Sequence, residues 1–140
     1  MVVDSRIPRP KRYLNADALI ANLKTRFGDV PDNRRQASCD YSITDTLTAA
    51  LAMFSLKEPS LLSFEERGDE ESIDRLFGIK HVPSDSQMRE ILDGIEIEPL
   101  NEAFADLFHE LQRGGMLKKW EFDDGHYLLS IDGTDHQARR

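Results

Sequence analysis

The chain has 140 residues, of which 39% are hydrophobic and 31% charged, a composition that predicts one water-soluble globular domain with a sizeable core. No apolar run approaches the roughly 20 residues that cross a bilayer, and residues 1–14 lack the apolar stretch of a signal peptide, so we expect a cytoplasmic protein with no membrane partner. The single cysteine, Cys39, excludes an internal disulfide and a cysteine-rich metal site, and we expect it to be a buried thiol.

The net charge of −8 is unevenly distributed along the chain. Residues 1–36 carry eight Lys or Arg against four Asp or Glu, whereas residues 37–140 carry ten against 22, so the two balances are +4 and −12. An acidic body repels the phosphate backbone, and any DNA contact should therefore come from the front of the chain. The densest basic segment is the proline-containing arm, residues 1–14, whose candidate DNA-binding residues are Arg6, Arg9, Lys11 and Arg12. A solvated tail is the alternative interpretation.

Helical periodicity begins directly after the arm. Residues 16–27 predict a helix that ends at Gly28, and the polar residues 29–36 predict a linker. The apolar face of this helix comprises Ala16, Ile20, Leu23 and Phe27.

A second helix is predicted to start near Ser42, because Ser42 and Asp45 have the spacing of a helix-capping pair. It should end at the turn that contains Pro59. Its predicted apolar face comprises Ile43, Leu47, Ala50, Leu51 and Phe54. A short helix over residues 60–66 and another that ends before Gly78 should follow; their predicted buried residues are Leu61, Leu62, Phe64, Ile73, Leu76 and Phe77.

Two further helices are predicted in the second half of the chain. Ser84 and Gln87 have the spacing of a capping box, which predicts a helix with Met88, Ile91 and Leu92 facing the core. Residues 99–113 predict a longer helix that is ended by two glycines. Its apolar stripe comprises Leu100, Phe104, Leu107, Phe108 and Leu111.

The pattern changes after residue 115. The run Asp123-Asp124-Gly125 predicts a turn, and residues 126–132 predict a strand with apolar groups on both faces. We expect this strand to be an orphan, since the chain offers it no partner strand. Trp120 should close the connection between the last helix and the strand, with base stacking as the alternative. The predicted fold is therefore mainly α, with a basic arm (1–14), a multi-helix region (15–115) and a final segment (116–140).

Three segments together resemble the DDE class of bacterial insertion-sequence transposases: HVPSDSQMREILD at 81–93, HELQRGG at 109–115 and YLLSIDGT at 127–134. The resemblance covers about residues 5–134 in order and spacing. It implies that residues 116–140 begin a ribonuclease-H-like α/β domain, of which residues 126–132 would be the first strand.

The resemblance implies a catalytic and metal-ligand role for one residue, Asp132, which matches the first carboxylate of the triad. In a complete relative, three carboxylates hold two Mg²⁺ or Mn²⁺ ions for phosphodiester chemistry. After Asp132 the sequence DHQARR departs from the family pattern, and it contains one acidic residue, Asp135. We therefore expect a truncated transposase with no activity of its own and no tightly bound metal.

The implied function is that of an N-terminal transposase fragment in DNA transposition, with the element's ends as the DNA partner. Self-association or pairing with an intact transposase would be its protein contacts. The alternative function is a non-enzymatic helical interaction module, or an inhibitor of an intact transposase. Steeply salt-dependent DNA binding would distinguish the first function from the second.

Overall fold

The computed structural model describes residues 12–34, 39–68, 71–79 and 81–128, and in these ranges the protein is mainly helical. A 3₁₀ turn, Arg12–Leu14, precedes the first α-helix, and a second one, Lys118–Trp120, follows the last. The α-helices are α1 (Ala16–Phe27), α2 (Ile43–Ser55), α3 (Leu61–Glu66), α4 (Glu71–Phe77), α5 (Asp85–Asp93) and α6 (Ile97–Arg113). The strands are β1 (Glu121–Phe122) and β2 (His126–Tyr127).

Side-chain caps set the starts of four helices. The Oδ1 atom of Asn15 accepts a hydrogen bond from the Ala18 backbone N–H at 2.8 Å, and Ser42, Ser60 and Ser84 accept equivalent bonds. At Ser84 the predicted capping box is complete, because the Gln87 side chain also accepts from the Ser84 N–H at 3.2 Å. The predicted starts of α1, α2, α3 and α5 are therefore confirmed. The predicted start of α6 is wrong by two residues, because the helix begins at Ile97 and not at Pro99.

The central helix is α2, which has buried residues on every side. Ala49 and Ala52 belong to a first core cluster with Phe64, Ile73, Phe77, Ile79 and Met88. Ile43 and Leu47 belong to a second core cluster with Leu23, Phe27, Val30 and Ile91. Because α2 supplies both clusters, it joins α1 and α6 on one side to α3, α4 and α5 on the other.

The predicted apolar face of α2 is only partly correct. Ile43 and Leu47 are buried and Ala50 and Leu51 are half-buried, but Phe54 is 73% exposed. Leu62 of α3 and Leu76 of α4, both predicted to be buried, are about half exposed. Each lies on the solvent side of a helix of six or seven residues, which is too short to bury more than one side.

The predicted stripe of α6 is divided between a packed side and an open side. Leu100 and Leu107 pack against the second core cluster, and the small residue Ala103 is the one fully buried position that α6 contributes. Phe104 and Phe108 remain 46% and 45% exposed. The reason is that α1, the main partner of α6, covers only one of its sides.

The strand at residue 126 has a partner, so the prediction of an orphan strand is wrong for the described residues. β1 and β2 pair antiparallel, with Glu121 opposite Tyr127 and Phe122 opposite His126. The predicted turn Asp123-Asp124-Gly125 connects them, and all three residues have positive φ. The remainder of the predicted strand, residues 129–132, lies outside the described ranges, and its membership of a ribonuclease-H-like domain stays a prediction.

No helix within the described ranges combines the length and the apolar character needed to span a membrane.

Candidate nucleic-acid interface

The root of the basic arm is anchored to the carboxyl end of α6. Leu14 is buried, with 2% of its surface exposed, and its Cδ1 atom occupies the position at which a Cβ atom on Gly114 would have to be placed. The Leu14 side chain therefore fills the space that any larger residue at position 114 would need. The root of the arm is therefore packed against Gly114, the residue that follows the last turn of α6.

Most of the predicted DNA-binding residues lie outside the described ranges. Arg6, Arg9 and Lys11 precede residue 12, and Arg12 opens the first 3₁₀ turn. Asp132, the predicted catalytic and metal-binding residue, lies four positions beyond Leu128, the last described residue. The contacts of these side chains are therefore outside the described part of the chain, and their roles stay predictions.

A second group of basic residues lies at the same end of the molecule. Arg113 ends α6, and Lys118 and Lys119 form the second 3₁₀ turn after a tight connection through Gly115, whose φ is 72°. All three basic side chains are exposed. The position of this group beside the root of the arm could not be predicted from the sequence, because it depends on the packing of Leu14 against Gly114, two residues that are 100 positions apart.

Trp120 lies in the connection between α6 and β1, as predicted, but it does not close that connection by burial. Its side chain is 64% exposed, and the Lys119 Nζ atom lies 5.0 Å from the ring centroid. This cation–π contact holds the cation against the indole. Most of the ring surface remains open to solvent.

Acidic residues bound this basic surface on the hairpin side. Glu121 lies in β1, and Asp123 and Asp124 form the turn; all three are exposed. Three cations therefore precede Trp120 and three carboxylates follow it. An anionic ligand would be attracted to the side that faces the carboxyl end of α6 and repelled from the tip of the hairpin.

A polar cavity of about 220 Å³ lies elsewhere, between the linker and α5, and is lined by Arg34, Cys39, Asp40, Tyr41, Gln87, Glu90 and Ile91. The Arg34 guanidinium donates to both Asp32 oxygens, at 2.9 and 2.8 Å, and to the Tyr41 carbonyl at 3.1 Å. The hydrogen bonds from Arg34 lower the pKa of Asp32, and Asp32 in turn raises the pKa of Arg34. Arg34 therefore has a structural role as the ion-pair partner of Asp32.

Cys39, which was expected to be buried, is only half-buried at this cavity.

No group of three or more histidine, cysteine or carboxylate side chains that could hold a metal ion occurs in the part of the chain that the structure describes. His81, His109 and His126 lie on separate elements, and His136 is outside that part. The expected divalent metal depends on Asp132, which is not described either.

Comparison of the chain with protein-family models, with curated proteins and with solved structures yields no match.

Proposed function

We propose that this chain is the N-terminal part of a DDE transposase and that it binds DNA through its basic arm. The observation that carries the proposal is the order and spacing of the three segments at 81–93, 109–115 and 127–134. Each coincides with a distinct structural feature. The first contains the capped start of α5, the second covers the end of α6, and the third starts within β2.

The charge distribution favours the arm as the DNA-binding element. The balance of −12 over residues 37–140 repels phosphates, whereas Arg6, Arg9, Lys11 and Arg12 concentrate positive charge within seven positions. The arm starts from a fixed point, because Leu14 is packed against Gly114. An anchored arm loses less entropy on binding than a free tail of the same charge, which favours a defined contact over transient association.

Catalysis is not part of the proposed function of this 140-residue chain. Two-metal phosphodiester chemistry needs several carboxylates around two divalent ions. Asp132 is the one residue here that matches the triad, and it would bind Mg²⁺ or Mn²⁺ together with carboxylates of a complete relative. We therefore expect no cleavage of plasmid DNA in Mg²⁺ or Mn²⁺, and cleavage that copurifies with the chain and is lost in Asp132→Ala would contradict this expectation.

The DNA-binding proposal is tested by fluorescence anisotropy with a labelled duplex at salt concentrations from about 50 to 200 mM, the range over which binding to phosphates is strongly weakened. In the Arg9→Ala, Lys11→Ala, Arg12→Ala variant, we expect a flatter dependence of log K on log salt, by about 0.9 for each phosphate that is no longer neutralised.

A matched control removes three exposed cations elsewhere, through Lys57→Asn, Arg75→Ala and Arg89→Ala. Asn replaces Lys57 because that residue has a φ of 58°, which asparagine tolerates. The control changes the net charge equally, so it should retain the wild-type salt slope. Equal slopes for the arm variant, the control and the wild type would contradict DNA binding through the arm.

The open side of α6 favours a second candidate function, a helical interaction module. Ile97, Phe104 and Phe108 are 64%, 46% and 45% exposed and recur at helical spacing. Such a face suits a protein partner. An intact transposase that contains the same helix would offer the same face, and mixed pairing would make this chain an inhibitor of transposition.

A further inference from the structure

We propose that Arg113, Lys118, Lys119 and Trp120 form a second nucleic-acid contact, which takes unpaired DNA with phosphates on the cations and a base stacked on the indole. This inference extends the proposed DNA-binding function and rests on it for the identity of the ligand. The four residues are hereafter called the Trp120 patch.

The position of the patch is the first argument. Leu14 packs against Gly114, the residue directly after Arg113, so the basic arm starts beside the patch. The Met116 N–H donates to the Leu111 carbonyl at 3.0 Å and the Trp120 N–H to the Leu117 carbonyl at 2.8 Å. The first bond holds the connection close to the end of α6, and the second stabilises the 3₁₀ turn that contains Lys118, Lys119 and Trp120. A strand of nucleic acid bound by the arm would therefore meet a second set of cations without crossing the acidic body.

The exposed indole is the second argument. A tryptophan usually buries most of its ring, yet Trp120 is 64% exposed, and Phe122, two residues later, is 66% exposed. The Lys119 Nζ atom lies over one face of the ring, 5.0 Å from its centroid, so a base would stack on the opposite face with this cation nearby for its phosphate. Aromatic rings flanked by cations are the recurring means by which proteins bind single strands.

The exposed indole and the neighbouring cations together favour unpaired DNA over duplex DNA as the ligand. A base inside a duplex has both faces covered by its neighbours and cannot stack on a side chain without leaving the helix. The carboxylates of Glu121, Asp123 and Asp124 follow the indole and restrict phosphates to the Lys118 side. We therefore expect the patch to bind a short single-stranded segment, such as a frayed end, next to duplex held by the arm.

Trp120 is the only tryptophan of the chain, so its fluorescence reports directly on the patch. The full chain is titrated with an oligothymidylate of about 12 nucleotides, within the site sizes of single-strand binders, and with a duplex of the same length. We expect the single strand to quench Trp120 fluorescence and the duplex to quench it far less. Trp120→Ala should weaken single-strand binding roughly 5- to 150-fold, the equivalent of one stacked base, and leave duplex affinity unchanged.

Two further variants separate this inference from the proposed function. Lys118→Ala with Lys119→Ala should flatten the salt dependence of single-strand binding by about 1.4, because two phosphates at about 0.7 each are no longer neutralised. If the arm variant loses duplex binding while Trp120→Ala binds the single strand like the wild type, the patch is refuted and the arm proposal stands. If the single strand quenches Trp120 but the arm variant binds duplex normally, the patch is supported and the arm proposal fails.

A protein partner is the competing occupant of the exposed indole. If Trp120→Ala changes the oligomeric state in sedimentation and single-strand affinity is unaffected, the Trp120 patch is a protein contact and the inference is overturned. Because Trp120 is exposed, its replacement should leave the helical circular dichroism spectrum unchanged.

Discussion

Three polar side chains of α1 connect this helix to its neighbours. The Lys24 Nζ atom donates to the carbonyls of Phe77 and Gly78, at 3.1 and 3.3 Å, and so satisfies the carboxyl end of α4. Asn22 donates to Glu110 at 2.8 Å, and Arg26 forms an ion pair with Asp106. The bonds from Asn22 and Arg26 fix the rotation of α6 relative to α1. They thereby determine which apolar residues of α6 stay exposed.

The pair of Asp32 and Arg34 leads to a prediction on acid stability. Arg34 lowers the pKa of Asp32 in the folded chain, so the pair stabilises the fold above the unfolded pKa of about 4, and this stabilisation is lost as the pH falls through the lower folded value. Asp32→Asn should reduce the free energy of unfolding by about 1 kcal/mol at pH 7. Urea denaturation followed by circular dichroism measures the difference.

The difference between the wild type and Asp32→Asn should shrink as the pH is lowered below about 4, because Asp32 is then protonated first in the unfolded chain and, at its lower folded pKa, in the folded chain as well. Glu102→Gln, which neutralises an exposed carboxylate on α6, is the matched control and should change stability little at any pH. A deficit in Asp32→Asn that is independent of pH would show that the pair acts through packing, not through charge.

The periodicity of apolar residues failed to predict the burial of two positions in α2 that are occupied by threonine. Thr46 and Thr48 are fully buried, although their hydroxyl groups mark them as polar. The Thr46 Oγ1 atom donates to the Ser42 carbonyl at 3.0 Å, and the Thr48 Oγ1 atom donates to the Thr44 carbonyl at 2.6 Å. Because each hydroxyl is satisfied within its own helix, the methyl group can face the core. Counting these threonines as polar made the predicted buried surface of α2 too narrow, because Thr46 and Thr48 extend burial to other sides of the helix.

At the scale of elements, the capping box of α5 gives a prediction on stability. α5 contributes Met88 to the first core cluster and Ile91 to the second, so loosening its start affects both. Ser84→Ala removes the acceptor for the Gln87 N–H and should lower the free energy of unfolding by about 1 kcal/mol. Ser86→Ala makes the same chemical change at an exposed helical position and should be neutral or slightly stabilising. Equal losses in the two variants would mean that the cap contributes nothing specific.

Helix starts could be predicted from the sequence because capping depends on residues that are close in the chain. Of the hairpin, only the turn and the second strand could be predicted. The turn at residues 123–125 was evident from its residue types, and His126 was correctly placed in a strand. β1 has two residues, Glu121 and Phe122, and such a short segment carries no periodicity. Its strand geometry comes from pairing with β2, which is information that a single segment does not contain.

The candidate nucleic-acid interface could likewise be predicted only in part from the sequence. The basic arm was evident from composition, and Lys118-Lys119-Trp120 was visible as a basic run with an aromatic residue. The sequence did not reveal that the root of the arm lies beside this run, because that follows from the packing of Leu14 against Gly114. A leucine and a glycine carry no chemical signal of a binding site, so only the fold reveals that the arm starts next to the second basic group.

The second candidate function depends on α6, whose open side contains no charged residue. Along the helix, Ile97, Asn101, Phe104, Ala105 and Phe108 share this side by helical periodicity, which leaves the charged residues of α6 on its other sides. A two-fold contact brings identical residues together, so in an acidic protein an uncharged face is the one that tolerates such a contact. We expect this face to pair with its copy on a second chain, or on an intact transposase that contains the same helix.

Replacing Phe104 and Phe108 by Ser should therefore raise the dimer dissociation constant at least about 30-fold, as expected when central aromatic anchors are removed from an interface. Sedimentation velocity over a concentration series measures this change. Circular dichroism verifies that the helices persist, since Phe104 also lies near Phe27 and Phe108 near Tyr127, at 6.3 and 5.9 Å between ring centroids. Phe54→Ser is the control, because Phe54 is 73% exposed but lies on α2, away from this face. A wild-type chain that stays monomeric at high concentration would exclude self-association through α6, and so would a Phe54→Ser variant that dissociates as readily as the α6 variant. The proposed DNA contact of the arm would then be the remaining basis for the proposed inhibition of an intact transposase.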